Sequence, residues 1–179
     1  MKTVPVIWLM VMACVLNIRP AFGQSESKNN KIIADSKTAK AEFLAADALM
    51  KGIFDTAYGY VIFPNVGKGG IGVGGAAGNG VVYEQNTIVG MAKLSQVSIG
   101  FQAGGQAYRE IIFFESKNEL ERFKKSQLEF SAEVSAVAVT SGASAKAKYT
   151  KGVMVFTMQK GGLMYEASVG GQQFKFKKI

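Results

Sequence analysis

The sequence predicts an α+β domain with a curved, mainly antiparallel and glycine-rich sheet, open or partly closed into a barrel. Short runs of β-branched and aromatic residues alternate with tight turns across residues 59–169. Two other stretches, 36–56 and 116–126, carry the signals of an N-terminal amphipathic helix and a short second helix. The 21 glycines supply the bends that a strongly curved sheet needs.

The first 23 residues have the three parts of a secretory signal peptide. Lys2 is followed by an apolar run at 4–16, and the small residues Ala21 and Gly23 precede the expected cleavage site. The apolar run is shorter than the roughly 20 residues that a transmembrane helix needs. We therefore predict an exported protein, in the periplasm or outside the cell, that is soluble or peripheral on a membrane.

A lipoprotein signal is the alternative interpretation of this segment, because Val11, Met12 and Ala13 precede Cys14. Met12 fits that motif poorly, and apolar residues continue beyond the cysteine. Cys14 is the only cysteine of the chain, so cleavage after residue 23 would leave a protein without disulfides or thiol chemistry.

The remaining chain is long enough for one compact domain. Residues 24–33 are polar and lack apolar periodicity, which predicts a flexible leader before a single domain at 34–179. The amphipathic helix at 36–56 has these apolar residues at helical spacing: Ala39, Phe43, Ala46, Leu49, Met50, Ile53 and Phe54. We expect this stripe to pack on the core of the domain, and insertion into a membrane is the alternative.

Strands are predicted from residue 59 onward. They are expected at 59–64, 80–84, 87–95, 98–104, 106–115, 128–140, 152–158 and 163–169, with a hairpin turn at 159–162. Ser116 and Glu119 form a capping-box pattern that predicts the short helix at 116–126. Alternating apolar and polar residues along 128–140 predict one buried and one solvated face.

Residues 67–72 (GKGGIG) have the G-x-G-x-x-G spacing of dinucleotide-binding loops. Such a loop must open a helix whose N-terminus holds the phosphates, whereas valines and a tyrosine follow here and predict a strand. We therefore reject a nucleotide site. We expect Gly70, Gly72 and Gly74 on one face of a strand, where glycines leave room for bulky neighbours or a bend. A groove for an acyl chain or head group is the functional alternative.

The sequence contains no recognisable catalytic apparatus. Histidine is absent, which removes the most common general base, the Ser-His-Asp triad and the most frequent transition-metal ligand. An acidic metal site would need three or four oxygens that converge from distant segments, which a sequence does not reveal. We predict a non-enzymatic protein without catalytic residues, metal ions or other cofactors.

The charge is distributed unevenly along the chain. Without Lys2 and Arg19, 19 basic residues face 13 acidic ones, and the excess lies after residue 133. The lysines of that part, opposed by Glu166, are Lys146, Lys148, Lys151, Lys160, Lys175, Lys177 and Lys178. A basic region of this kind attracts anionic partners, and a general solubilising charge is the alternative explanation.

Three ordered blocks of the chain resemble the SYLF domain. They are GYVIFPNVGKGGIGVGGAAGNGVVY at 59–83, SIGFQAGGQAYREIIFF at 98–114 and GVMVFTMQKGGLMYEASVGGQQF at 152–174. Eukaryotic members of this family bind phosphoinositides and other acidic lipids, some yeast members bundle actin, and bacterial members are mostly exported lipid-binding proteins. The resemblance therefore implies a lipid-binding fold. Actin binding is not expected to transfer, because an exported protein would not meet actin.

The resemblance and the charge distribution together predict a lipid-binding module of the cell envelope. Its partner would be anionic phospholipid or a membrane surface, contacted by lysines beside the glycine-kinked sheet. The candidate contacts are Lys68, Arg109, Lys146, Lys148, Lys151 and Lys160. The alternative is an envelope scaffold that binds another protein or a polyanion. Phe174 and Phe176 could stack on nucleic-acid bases, but export argues against a nucleic-acid partner.

Overall fold

The computed structural model describes residues 21–71, 73–99, 104–128, 130, 135–160 and 169–179. The helices are α1 (Ala21–Ala46), α2 (Met50–Thr56) and α3 (Lys117–Lys124), and a 3₁₀ turn lies at Ala143–Lys146. The strands are β1 (Gly59–Ile71), β2 (Val73–Glu84), β3 (Thr87–Ile99), β4 (Gly104–Phe114), β5 (Ala136–Ala138), β6 (Val153–Gln159) and β7 (Gln172–Lys178).

The strands form one curved sheet in the order β5-β6-β4-β1-β2-β3-β7. All neighbours are antiparallel except β5 and β6. Gln172 of β7 donates a hydrogen bond to Glu110 of β4 at 2.9 Å, although three strands separate β7 from β4 in the sheet. The sheet therefore curls far enough for its two halves to touch, but within the described residues it is not closed into a barrel. The predicted α+β class with a curved sheet is confirmed.

The two faces of the sheet have separate cores. The concave face, which carries Glu110, packs Phe114 and Phe174 against Phe123 of α3, and Phe63 packs against Phe174. The opposite, convex face is covered at one end by α1 and α2. There the ring of Phe54 lies 4.8 Å from that of Phe113 and 5.0 Å from that of Tyr60. Each buried phenylalanine contributes about 2–3 kcal/mol to folding.

The first helix differs from its prediction at both ends. Residues 24–33, predicted as a flexible leader, continue α1 as helix. Once packing holds the later turns, each further residue adds a hydrogen bond at little cost, so a polar segment can extend the helix. The predicted helix at 36–56 is interrupted at 47–49, where Asp47 accepts hydrogen bonds from the backbone N–H of Leu49 (3.1 Å) and of Ser144 (2.8 Å). Asp47 thereby joins the α1–α2 corner to the 3₁₀ turn.

The glycine-rich segment folds back on itself instead of forming a single strand. Gly70 pairs with Gly74 and Ile71 with Val73, so β1 and β2 form a long hairpin, and Gly72 lies outside the described residues. The glycines thus lie in antiparallel strands, and no helix opens among the described residues of this segment. The register of β1 shifts around Pro64, which lacks an N–H for the ladder and is tolerated at such a bulge.

The C-terminal part also departs from the predicted pattern. Of the strand predicted at 128–140, only Ala136–Ala138 is a strand among the described residues, and 129 and 131–134 lie outside them. The strand predicted at 163–169 also falls almost entirely outside the described residues. The final strand is β7, which the sequence interpretation missed because lysines alternate with its phenylalanines and lower its hydrophobicity. Helix α3 is capped as predicted, with the Ser116 hydroxyl accepting from the Asn118 N–H at 3.1 Å.

The buried carboxyl group of Glu110 is unusual for this core. Its side chain is fully buried, and burial raises its pKa to about 8, while hydrogen bonds from Gln172 and Tyr108 act in the opposite direction. Thr157, its direct neighbour on β6, is fully buried too. A polar cluster therefore lies inside the concave face.

Gly80 and Gly90 lie where aromatic rings press against the backbone of the concave face. A Cβ at Gly80 would lie 2.6 Å from the ring of Phe63, and a Cβ at Gly90 would overlap the ring of Phe176. We predict that Gly80→Ala and Gly90→Ala each destabilise the protein by about 2 kcal/mol through overpacking. Chemical denaturation followed by circular dichroism measures this loss.

Gly67→Ala is the matched control, because a Cβ at Gly67 has no atom within 4 Å. Its free energy of unfolding should stay within about 0.5 kcal/mol of the wild-type value. Equal losses at Gly67 and Gly80 would contradict the ring-packing explanation.

Asp47 predicts a specific acid sensitivity. Its contacts with Ser144 hold the pKa of the carboxyl group below its usual range, against the effect of burial. The stabilisation is therefore present above the unfolded-state pKa, about 4, and is lost as the pH falls through the lower folded-state pKa. We expect Asp47→Asn to lose about 1–3 kcal/mol at pH 7 and to lose less further stability on acidification than the wild type.

Urea unfolding at pH 7, 4 and 3 tests this expectation. Asp35→Asn is the control, because Asp35 pairs on the surface with Lys31 at the next turn of α1. If the free energy of unfolding of Asp47→Asn falls with pH as steeply as that of the wild type, the Asp47 carboxylate does not stabilise the connection between α1 and α2.

Candidate functional site

The N-terminal part of α1 lies beside a half of the convex face that no helix covers among the residues that the structure describes. Here the strands present small and polar residues instead of the aromatic residues found under α2. Gly67 of β1, Ala77 of β2 and Ser95 of β3 lie next to one another in the register. They form the floor of a groove of about 580 Å³.

Three lysines from different elements line this lysine groove: Lys28 of α1, Lys93 of β3 and Lys175 of β7. Lys93 and Lys175 are direct cross-strand partners, so their ammonium groups leave the same face side by side. Within the described residues, no carboxylate lies within ion-pair distance of any of the three. The groove therefore concentrates uncompensated positive charge over a floor of small side chains.

A second, smaller cleft of about 230 Å³ lies on the other side of Asn65, which lines both. Its charged residues are Lys31 and Asp35 of α1, Arg109 of β4 and Lys160 after β6. In this arginine cleft Arg109 is paired with Glu42 of α1, and Lys31 with Asp35 at 2.9 Å. Lys160 is exposed and has no carboxylate within ion-pair distance among the described residues. The two clefts share Asn65 as a lining residue, and Lys160 adds one charge, unpaired among the described residues, beside the lysine groove.

The structure brings together two of the six predicted contact residues. Arg109 and Lys160 meet in the arginine cleft, where the backbone N–H of Lys160 also binds the carbonyl of Ala107. Lys68 is paired with Ala76, whose side chain belongs to the concave core, so Lys68 faces away from both clefts.

The other three predicted contacts lie elsewhere on the surface. Lys146 ends the 3₁₀ turn that Asp47 holds at the C-terminal end of α1, and Lys148 follows it. Lys151 lies in the turn before β6, with a left-handed backbone (φ 52°). None of the three lines either cleft.

Sequence reasoning missed Lys28, Lys31, Lys93 and, as a site residue, Lys175. Two signals were present. The residues of α1 that line the two clefts recur at helical spacing from Lys28 through Lys31 and Asp35 to Thr38, and Lys93 shares the period-two face of Ser95. Both signals point to a shared cationic site only when β3 and β7 are known to be neighbours in the sheet.

The arrangement can hold an anion. Lysine ammonium groups act as mobile point charges, and the small floor residues let a bulky anionic group approach the sheet closely. No helix within the described parts of the chain is long and apolar enough to cross a membrane.

Comparison with known proteins finds two similarities. The family model described as "Ysc84: Las17-binding protein actin regulator" matches residues 95–178, from the end of β3 through β7. The chain is 29% identical over 127 residues to beta cell expansion factor A of Aeromonas veronii. The aligned region covers 70% of this chain and 48% of that protein, so the chain spans about half the length of this relative. The family model covers the second and third of the sequence blocks noted above, and the two matches together support the resemblance to the SYLF (Ysc84) domain family.

Proposed function

We propose that the protein is an exported, non-enzymatic module that binds anionic lipid at a membrane surface of the cell envelope through the lysine groove. The observation that carries the proposal is the convergence of Lys28, Lys93 and Lys175 without a carboxylate partner among the described residues. The similarity to the SYLF family supports a lipid- or actin-binding module in general terms. The predicted export favours lipid over actin.

The electrostatics of the groove support this assignment. A cation near an anionic membrane surface contributes about 1 kcal/mol to binding, so three lysines together would contribute about 3 kcal/mol. Lys93 and Lys175 repel each other across the strands in the free protein, and a phosphate group between them would relieve that repulsion. The arginine cleft adds Lys160, while Arg109 remains engaged with Glu42.

The proposal predicts that Lys93→Gln with Lys175→Gln weakens binding to anionic vesicles about thirtyfold, because two cationic contacts worth about 2 kcal/mol are lost. Co-sedimentation with vesicles of phosphatidylglycerol and phosphatidylcholine measures the affinity. The same double variant should be folded and as stable as the wild type or slightly more stable, since the cross-strand repulsion is removed.

Lys146→Gln with Lys148→Gln is the matched control. It removes the same net charge at the other end of α1, and its affinity should remain close to that of the wild type. If vesicle binding is weakened equally in both double variants, the whole basic surface attracts the membrane and the lysine groove is not a specific site.

Salt provides an independent prediction. Raising the ionic strength from about 0.05 M to about 0.5 M should release the protein from anionic vesicles, because salt at the higher concentration screens exposed charges beyond a few ångströms. Retention on neutral vesicles at high salt would contradict an electrostatic mechanism. Stoichiometric capture of one envelope protein without any lipid dependence would instead favour the scaffold alternative.

A further inference from the structure

The concave interior of the sheet contains side-chain oxygens that lack partners. Glu110 of β4, Thr157 of β6 and Gln172 of β7 are each 0% exposed. Within the described residues, Glu110 Oε1, Thr157 Oγ1, Gln172 Oε1 and the buried Oε1 of Gln159 accept no hydrogen bond. Gln172 Nε2 donates a hydrogen bond to Glu110 Oε2 at 2.9 Å, and the Tyr108 hydroxyl also hydrogen-bonds the Glu110 side chain.

The register shows that these oxygens share one small region. Thr157 is the direct cross-strand partner of Glu110, and Gln159 is the partner of Tyr108, two residues further along the same face. Side chains at such positions have Cβ atoms about 5 Å apart across the strands and about 7 Å apart along a strand. Gln172 reaches the same carboxyl group from β7. Side chains from three strands therefore bring these oxygens to one small region of the concave face.

The kinds of oxygen in the cluster indicate which partner they would bind. Three of the four atoms are carboxyl or amide oxygens, which accept hydrogen bonds or coordinate cations, and the fourth is a hydroxyl oxygen that can do the same. Buried acceptors without partners are costly and uncommon, so such a set points to an ion or ordered water at the centre. No lysine or arginine of the described residues pairs with Glu110.

We propose that this cluster is a binding site for one monovalent alkali cation, held by Glu110, Thr157, Gln159 and Gln172. A donor set made of oxygen alone selects a hard cation over a transition metal. A single positive charge would balance the Glu110 carboxylate, which forms when the ion displaces the carboxyl proton, whereas a divalent ion would leave net charge in an apolar interior. The described residues contain no group of three or more acidic, cysteine or histidine side chains that could hold such a divalent ion.

The bound ion would link strands that are not backbone neighbours. β7 and β4 are not neighbours in the sheet, and the side chains of Gln172 and Glu110 meet across the concave face. An ion shared by β4, β6 and β7 would hold the curled sheet together. It would also fix the position of β7, which carries Lys175 on its other face.

Thermal unfolding of the full chain tests the proposal. The melting temperature is measured by circular dichroism while tetramethylammonium chloride is replaced stepwise with sodium or potassium chloride at constant ionic strength. We expect a saturable rise with one of the two ions, of about 3 °C at five times its dissociation constant. Tetramethylammonium is too large to enter the cluster, so it serves as the inert ion.

Glu110→Gln keeps the shape of the side chain and removes its charge, and it should abolish the ion-specific rise. Thr157→Val removes one ligand oxygen and should reduce the rise. Glu115→Gln, an exposed carboxyl just beyond β4, is the matched control and should retain it. Broadening of the ²³Na resonance by the wild type, lost in Glu110→Gln, reports binding without relying on stability.

Three results would overturn the assignment. A melting temperature that does not depend on the identity of the ion would mean that water fills the cluster. An equal rise in Glu110→Gln would place the ion elsewhere. A rise with calcium chloride but with neither alkali ion would show that the charge-balance argument is wrong.

Discussion

The curvature of the sheet rests on the close approach of aromatic rings to glycine backbone at two places on its concave face. Phe63 occupies the space beside Gly80, and Phe176 the space beside Gly90, and neither position would accept a Cβ without rearrangement. With those rings seated, the strands curl until Gln172 reaches Glu110 across three intervening strands. The curl separates a concave interior from a convex face, and the two proposed binding sites lie on opposite sides of that division.

Helices cover only one end of the convex face among the described residues, so this face has a buried end and an open end. α1 and α2 bury the end that carries aromatic residues, where Phe54 packs on Tyr60 and Phe113. The other end keeps its small residues and lysines open to solvent. Most acidic side chains of the neighbourhood are used elsewhere: Asp35 pairs with Lys31, and Glu42 with Arg109. The positive charge of the lysine groove is thus a result of where the carboxylates are placed as well as of where the lysines are.

Local sequence patterns predicted only part of the candidate site. Arg109 and Lys160 could be named from the sequence because each adjoins a glycine turn of a recognisable block. Lys93 and Lys175 could not, because about 80 residues separate them along the chain, and their meeting depends on the pairing of β3 with β7. Lys68, in contrast, was predicted as a contact residue but lines neither cleft. It adjoins a glycine turn as well, but the shift in register around Pro64 places it with Ala76 on the concave face.

The sequence by itself determined the class of the fold, the cap of α3, the strand character of the first two glycine-rich blocks and the absence of histidine. These are properties of neighbouring residues: a capping hydroxyl, a two-residue period, a glycine turn, a composition. The tertiary structure alone decided that α1 continues through 24–33, that the glycine segment is a hairpin, and which side chains share a face. Those outcomes depend on long-range strand pairing, where a shift by one residue moves every side chain to the opposite face. The lysines of the groove and the oxygens around Glu110 both come from distant strands, and for that physical reason neither site is visible in the linear chain.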